Sequence, residues 1–96
     1  MAVIRHIVYY SGQVQGVGFR YTARNLARGY TLAGYVRNLE DRRVLLEVEG
    51  DEAELKRFLG EIDETMKQFI AGRTIDRQPA TDEFGPPRPG GLSIRF

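Results

Sequence analysis

The chain has 96 residues, 42% of them hydrophobic and 28% charged, with a formal net charge of +1 and no cysteine. That is enough for one domain with a modest core. It supplies no strong field for nucleic acid or a membrane surface, and it excludes disulfides, thiol catalysis and zinc–cysteine sites. The only histidine is His6, so a histidine-based metal site is not expected and His6 reads as a polar position on a strand. Arg5 and His6 interrupt the first apolar run, which makes it a poor signal peptide, and no stretch reaches membrane-spanning length. A cytoplasmic location follows by default.

Val3 to Tyr10 is rich in β-branched and aromatic residues and alternates, with Val3, Ile7 and Tyr9 on one face. It predicts a first strand. Ser11-Gly12-Gln13-Val14-Gln15-Gly16-Val17-Gly18-Phe19-Arg20 follows, a glycine-bearing loop with no acid that ends in an arginine where helical spacing begins. Glycines let a backbone curl and approach a ligand closely. Successive N–H groups at a loop-to-helix junction form an anion site reinforced by the helix dipole. Arg20 adds a permanent charge and a planar fork of donors suited to phosphate. Phe19, Ala23, Leu26, Ala27 and Tyr30 then predict a helix over about 20–30, stopping near Gly29.

Leu32 to Asn38 predicts a second strand and Val44 to Glu49 a third, the latter alternating as a half-buried antiparallel strand does. Leu39 to Arg43 is a connection of hairpin length, with Arg42-Arg43 where an Asp-Gly-type turn would be expected after Asp41. Asp51, with Glu54 three residues on, opens a second helix as in a capping box. Leu55, Phe58, Leu59, Ile62 and Met66 form its core stripe, and Gly60 weakens its interior. Phe69 to Asp76 is expected as a fourth strand, Pro79 to Gly91 as a surface loop, and Leu92 to Phe96 as a last short strand. The order strand, helix, strand, strand, helix, strand is the split βαβ, ferredoxin-like α+β arrangement, with two helices on one face of an antiparallel sheet. A single domain over 1–96 is expected, with no linker or internal repeat.

Within this frame the chain offers donors rather than acids or nucleophiles. Catalytic Ser-His-Asp and Cys-His pairs are unavailable, and no paired carboxylate stands near the glycine loop in sequence. Taken singly, Arg20 reads as a surface helix residue and Asn38 as a strand-end turn former. Gly34-Tyr35-Val36-Arg37-Asn38, however, brings Asn38 in 18 residues beyond Arg20. The pair Gly-Gln-Val-Gln-Gly-Val-Gly-Phe-Arg and Gly-Tyr-Val-Arg-Asn, at this separation, closely resembles the acylphosphatase family. The resemblance runs from Val3 to Gly50 and, more weakly, to Ser93-Ile94-Arg95-Phe96.

The resemblance implies hydrolysis of a small-molecule acyl phosphate to a carboxylate and inorganic phosphate. Arg20 would bind the phosphate and Asn38 would orient the attacking water. The backbone amides of Gln15, Gly16, Val17, Gly18 and Phe19, up to Arg20, would cradle the phosphate oxygens. No metal and no cofactor is implied, and a monomer is expected. Arg37 should face solvent across the sheet from Asn38, and Tyr35 should pack or form a pocket wall. The chain departs from the family pattern at Gly18, in the helix end Arg28-Gly29-Tyr30-Thr31-Leu32, at Leu39 and at Arg42-Arg43. These departures bear on substrate preference and rate more than on reaction class.

Other readings are weaker. A dinucleotide fingerprint fails because Tyr21 stands where the third glycine should, and there is no Walker loop. Gln15-Gly16-Val17-Gly18-Phe19 superficially echoes an RNA-binding pattern. It leads into a helix instead of lying on a central strand, and Val17 occupies an aromatic position. The main alternative is a non-catalytic anion- or phosphate-binding regulatory module of the same fold. A carbamoyl phosphate domain like those within larger maturation enzymes is disfavoured by the length of the chain.

Overall fold

A computed structural model describes residues 3–96; Met1 and Ala2 of the expected 1–96 unit lie outside the described residues. The elements are β1 (Val3–Gly12), α1 (Phe19–Ala27), β2 (Thr31–Asn38), β3 (Val44–Asp51), α2 (Glu52–Met66), β4 (Ile70–Pro79), a two-residue β5 (Arg88–Pro89) and β6 (Leu92–Arg95). The sheet runs β4-β1-β3-β2 with antiparallel pairs; β5 joins β2 antiparallel, and β6 joins it in parallel. This is the ferredoxin-like α+β fold expected from the element order, with one parallel pair added at its edge.

Boundaries moved where pairing outweighed local pattern. β4 continues past Asp76 to Pro79 because β1 offers partners all the way to Ile4. Pro79 is tolerated there because it ends the strand on the sheet's edge. α1 stops at Ala27, and the N–H groups of Gly29 and Tyr30 close tight turns on Leu26 and Ala27. Asp51 caps α2 as expected, its Oδ2 accepting the Glu54 N–H at 3.3 Å.

The register of β1 decides which of its two apolar faces is inside. Ile4, Val8 and Tyr10 join the core beneath the helices with Leu55, Phe58 and Ile62 of α2, while Val3, Ile7 and Tyr9 lie on the opposite face. Parity carries His6 inward as well. It is only 4% exposed, so the expected ordinary polar position is a buried one. Neither ring nitrogen has a hydrogen-bond partner among the described residues, and burial holds its pKa below the ordinary histidine value.

Gly34 on β2 is required by proximity. A Cβ there would stand 1.9 Å from the Glu47 carbonyl oxygen, a distance no side chain survives. The face of the sheet away from the helices is held by charge. Arg5 pairs with Glu47 at 2.6 Å and also contacts Glu83. Glu49, 1% exposed, accepts the N–H groups of Thr81 and Asp82 at 2.7 and 2.9 Å and the Thr81 hydroxyl at 3.0 Å. Part of the Pro79–Gly91 segment is therefore fastened across the open face. Its Phe84 ring lies over Arg5 and meets the edge of Tyr35.

The β2–β3 hairpin carries a local conflict. Arg42 has φ 75°, the left-handed conformation natural to glycine. The turn closes with Leu39 N–H donating to the Arg43 carbonyl at 2.8 Å, and Asp41 accepts the Arg43 N–H at 3.1 Å. Left-handed backbone costs a non-glycine residue roughly 1–2 kcal/mol, partly offset by the freedom glycine adds to the unfolded chain. Arg42→Gly is therefore expected to stabilise the protein by about 0.5–1 kcal/mol, raising Tm by about 2–8 °C for a domain of this size. Thermal unfolding followed by circular dichroism checks this; a lowered Tm would mean that the Arg42 side chain makes contacts worth more than the strain.

Candidate active site

The site forms where β1 hands the chain to α1. Gln13 donates its N–H to the Phe69 carbonyl at 2.9 Å, which pins the start of the glycine loop to the turn between α2 and β4. Gly16 and Gly18 adopt φ 80° and 78°, and a Cβ at either would meet nothing within 4 Å. Conformation, not space, is what demands glycine at these two positions. Gly18 is the N-cap of α1 and, having no side chain, caps nothing; the first turn contains no acid. The first-turn amides and the positive end of the helix dipole are thus free of a competing side-chain acceptor or negative charge.

A cleft of about 220 Å3 opens at this helix start, lined by Val14, Gly16, Gly18, Phe19, Arg20, Tyr21 and Asn38. The fold therefore brings together five of the residues singled out in the sequence: Gly16, Gly18, Phe19, Arg20 and Asn38. Gln15 and Val17 do not line this cleft. With Gly12, Gln13 and Arg42 they line a neighbouring hollow of about 310 Å3. Asn38 is the last residue of β2, opposite Val44 on β3, and its side chain makes no hydrogen bond among the described residues. Arg37, its neighbour, is exposed. Tyr35 packs on the open face, its hydroxyl bonded to Glu47 and its ring 3.8 Å from the Arg95 guanidinium. Burial first, and that hydrogen bond second, push the Tyr35 hydroxyl up to about 12.

Arg20 is held at the mouth of the cleft. Its Nη1 donates to the Arg95 carbonyl at 3.2 Å, and its guanidinium lies 4.7 Å from the centre of the Phe96 ring. No carboxylate lines the cleft. Asp41, the nearest acid in sequence to Asn38, is turned to Arg43, with its Nε at 2.8 Å from Oδ2. The Arg43 backbone N–H, followed by that side-chain contact, keeps the Asp41 carboxyl below the usual range. Among the described residues no three His, Asp or Glu side chains converge on a metal-sized site. The cleft can bind an anion with oriented donors; it holds no base or nucleophile of its own.

The acylphosphatase family model matches residues 6–84 of the chain, spanning the glycine loop, Arg20 and Asn38. The chain belongs to the acylphosphatase family. It is 48% identical over 58 residues to an acylphosphatase of Clostridium acetobutylicum, covering 60% of the chain and 64% of that relative, and so just under two thirds of its length. To an acylphosphatase of Oceanobacillus iheyensis it is 42% identical over 67 residues, covering 69% and 74%. The crystal structure of the Bacillus subtilis acylphosphatase superposes with a TM-score of 0.79 at 28% identity, covering 97% of the chain and 99% of that structure.

Three side chains in or beside the cleft escaped the sequence reading: Tyr21 lines it, Phe96 lies against Arg20, and Gln15 ties the loop to the hairpin. Phe96 and Tyr21 gave no signal beyond being aromatic. The third is the side chain of Gln15, which the sequence offered only as a backbone donor. Its Nε2 donates to the Leu39 carbonyl at 2.8 Å and to the Arg43 carbonyl at 3.0 Å, tying the glycine loop to the hairpin that begins at Asn38. Gln15→Ala removes two hydrogen bonds and leaves their acceptors without this donor. It is expected to cost about 1–2 kcal/mol of stability in urea unfolding and to weaken phosphate binding several-fold by calorimetry. Unchanged phosphate affinity would show that the hairpin holds its place without Gln15.

Proposed function

We propose that the protein hydrolyses acyl phosphates: the carboxyl–phosphate bond is cleaved by water to give a carboxylate and inorganic phosphate. One observation carries this reading: Arg20 at the start of α1 and Asn38 at the end of β2 line one cleft, with no carboxylate in its lining, at a helix start without a side-chain cap. The family match over residues 6–84 supports the reaction class.

In this reading the first-turn amides of α1 and the glycine loop cradle the phosphoryl oxygens, and Arg20 offsets their charge. The Asn38 carboxamide accepts from and orients a water in line with the departing oxygen. A carboxylate is a good leaving group, so no general acid has to protonate it, and the attacking water passes its protons to the phosphate product and solvent. Positioning and electrostatic stabilisation are then the whole of the protein's contribution, which is the usual balance in phosphoryl transfer. The same reading takes the protein as a single-domain, metal-independent monomer of the cytoplasm acting on a small molecule. Among the described residues no helix is long and apolar enough to cross a membrane.

The test is hydrolysis of benzoyl phosphate in excess EDTA. Arg20→Ala is expected to lose about a hundred- to a thousandfold in rate, the effect of about 3–4 kcal/mol for one preorganised donor. Asn38→Ala should lower kcat with KM little changed, because its partner is the water and not the substrate. Full turnover in Asn38→Ala would remove its role. Phosphate binding that depends on Arg20, without hydrolysis by the unaltered protein, would instead establish a non-catalytic anion-binding module.

A further inference from the structure

We propose that His6 makes the folded state acid-sensitive: a proton taken up by its ring has no place beneath α2, so the fold weakens as the solution turns mildly acidic, before the carboxylates protonate.

His6 stands within β1, opposite Val48 of β3 and Arg77 of β4. It is 4% exposed, and neither ring nitrogen has a hydrogen-bond partner among the described residues. It lines a hollow of about 290 Å3 between α2 and β4, beside the apolar Leu59 and Ile75 and the bare backbone of Gly60. A neutral imidazole has one donor and one acceptor to satisfy; an imidazolium has two donors and a charge. A buried charge is tolerated only when it is paired and hydrogen-bonded.

The surrounding groups do not supply that pairing. From α2 the charged groups on this side are Glu52, Lys56 and Asp63, and from β4 they are Arg73 and Arg77. β3 contributes only the apolar Leu46 and Val48 to this face, and β1 adds Val8 and Tyr10. Burial pushes the Tyr10 hydroxyl up, so it stays neutral. Glu52 already accepts two hydrogen bonds from Arg77, at 2.8 and 3.1 Å, and lies 3.9 Å from Lys56; Asp63 is in contact with Arg73. Both carboxylates are therefore taken. A charged His6 would join Lys56, Arg73 and Arg77 with no acceptor of its own.

Burial, the largest influence, holds the His6 ring below its ordinary value of 6.5; Glu52 pulls the other way, and Arg77, Lys56 and Arg73 act with burial. The unfolded chain then takes up the proton first. The contribution of His6 to stability is whole above about pH 6.5 and is lost as pH falls from there through the folded value. The Glu52 carboxyl, held below its ordinary 4.5 by its hydrogen bond from Arg77, lends stability that is lost only at lower pH. The two effects occupy separate windows.

The experiment is urea unfolding of the full chain at a series of pH values from about 8 to about 5, with the His6 ring followed by NMR. His6 is the only histidine, so its ring Cε1–H signal has a single assignment. Below about pH 6.5 the unfolding constant of the unaltered protein is expected to rise by up to about tenfold per pH unit. His6→Leu and His6→Gln, which carry no titrating ring, should lose that rise, and the native ring should stay neutral where a free histidine is protonated. The same pH dependence in the variants would overturn the proposal. So would a native ring that titrates at or above the ordinary histidine value, because the hollow would then accommodate the imidazolium. If neither variant folds, the ring titration of the unaltered protein decides by itself.

Discussion

A single side-chain amide joins the two halves of the candidate site. Gln15 reaches from the glycine loop to the carbonyls of Leu39 and Arg43, and those carbonyls flank the hairpin that starts at Asn38. Arg20 sits at one end of this span and Asn38 at the other. Backbone carbonyls at a turn need donors, and the glycine loop needs something to limit the freedom its positive-φ positions would otherwise retain. One amide meets both needs. Gly34 supports the same geometry from beneath, since only a residue without a Cβ lets β2 approach β3 so closely.

The two faces of the sheet are held by different physics. The helix face is a packed apolar core in which Tyr10 meets Phe19 at a ring separation of 4.8 Å, so the first residue of α1 is anchored by the strand that precedes the loop. The open face relies on Arg5, Glu47, Glu49 and Glu83. Burying such charges is costly unless every one is paired, and here the carboxylates are answered by Arg5, by Thr81 and by the Thr81 and Asp82 amides. The arrangement keeps acids numerous in the molecule yet away from the cleft. A positive site can therefore exist on a chain whose net charge is only +1.

That separation also leaves only donors, and no carboxylate, in the lining of the candidate cleft. A helix start with no capping side chain and no first-turn acid leaves its amides and dipole for a ligand. Arg20, bonded to the Arg95 carbonyl and stacked on Phe96, is pre-set at the mouth instead of ranging over its rotamers. In the proposed reading, less ordering then remains to be done when an anion arrives.

The sequence by itself determined the element order and the ferredoxin-like class, and it singled out Arg20 and Asn38, which the fold brings to one cleft. Those properties live in local patterns: alternation in the strands, helical spacing from Phe19, the Asp51 cap, and two motifs at a fixed separation. It was silent where contacts between distant segments decide. Both faces of β1 are apolar, so only pairing with β3 and β4 could place Ile4 and Val8 inside and bury His6 with them. The length of β4 depended on how far β1 offered partners, and the parallel docking of β6 on β2 had no local signature. Gln15 looked like a backbone donor because its acceptors lie 24 and 28 residues away. Likewise, nothing in the spacing placed Phe96 on Arg20, 76 positions earlier. Local preferences are encoded residue by residue; which polar atom or ring meets which is settled only when the tertiary structure brings distant segments together, as it does Arg20 and Phe96.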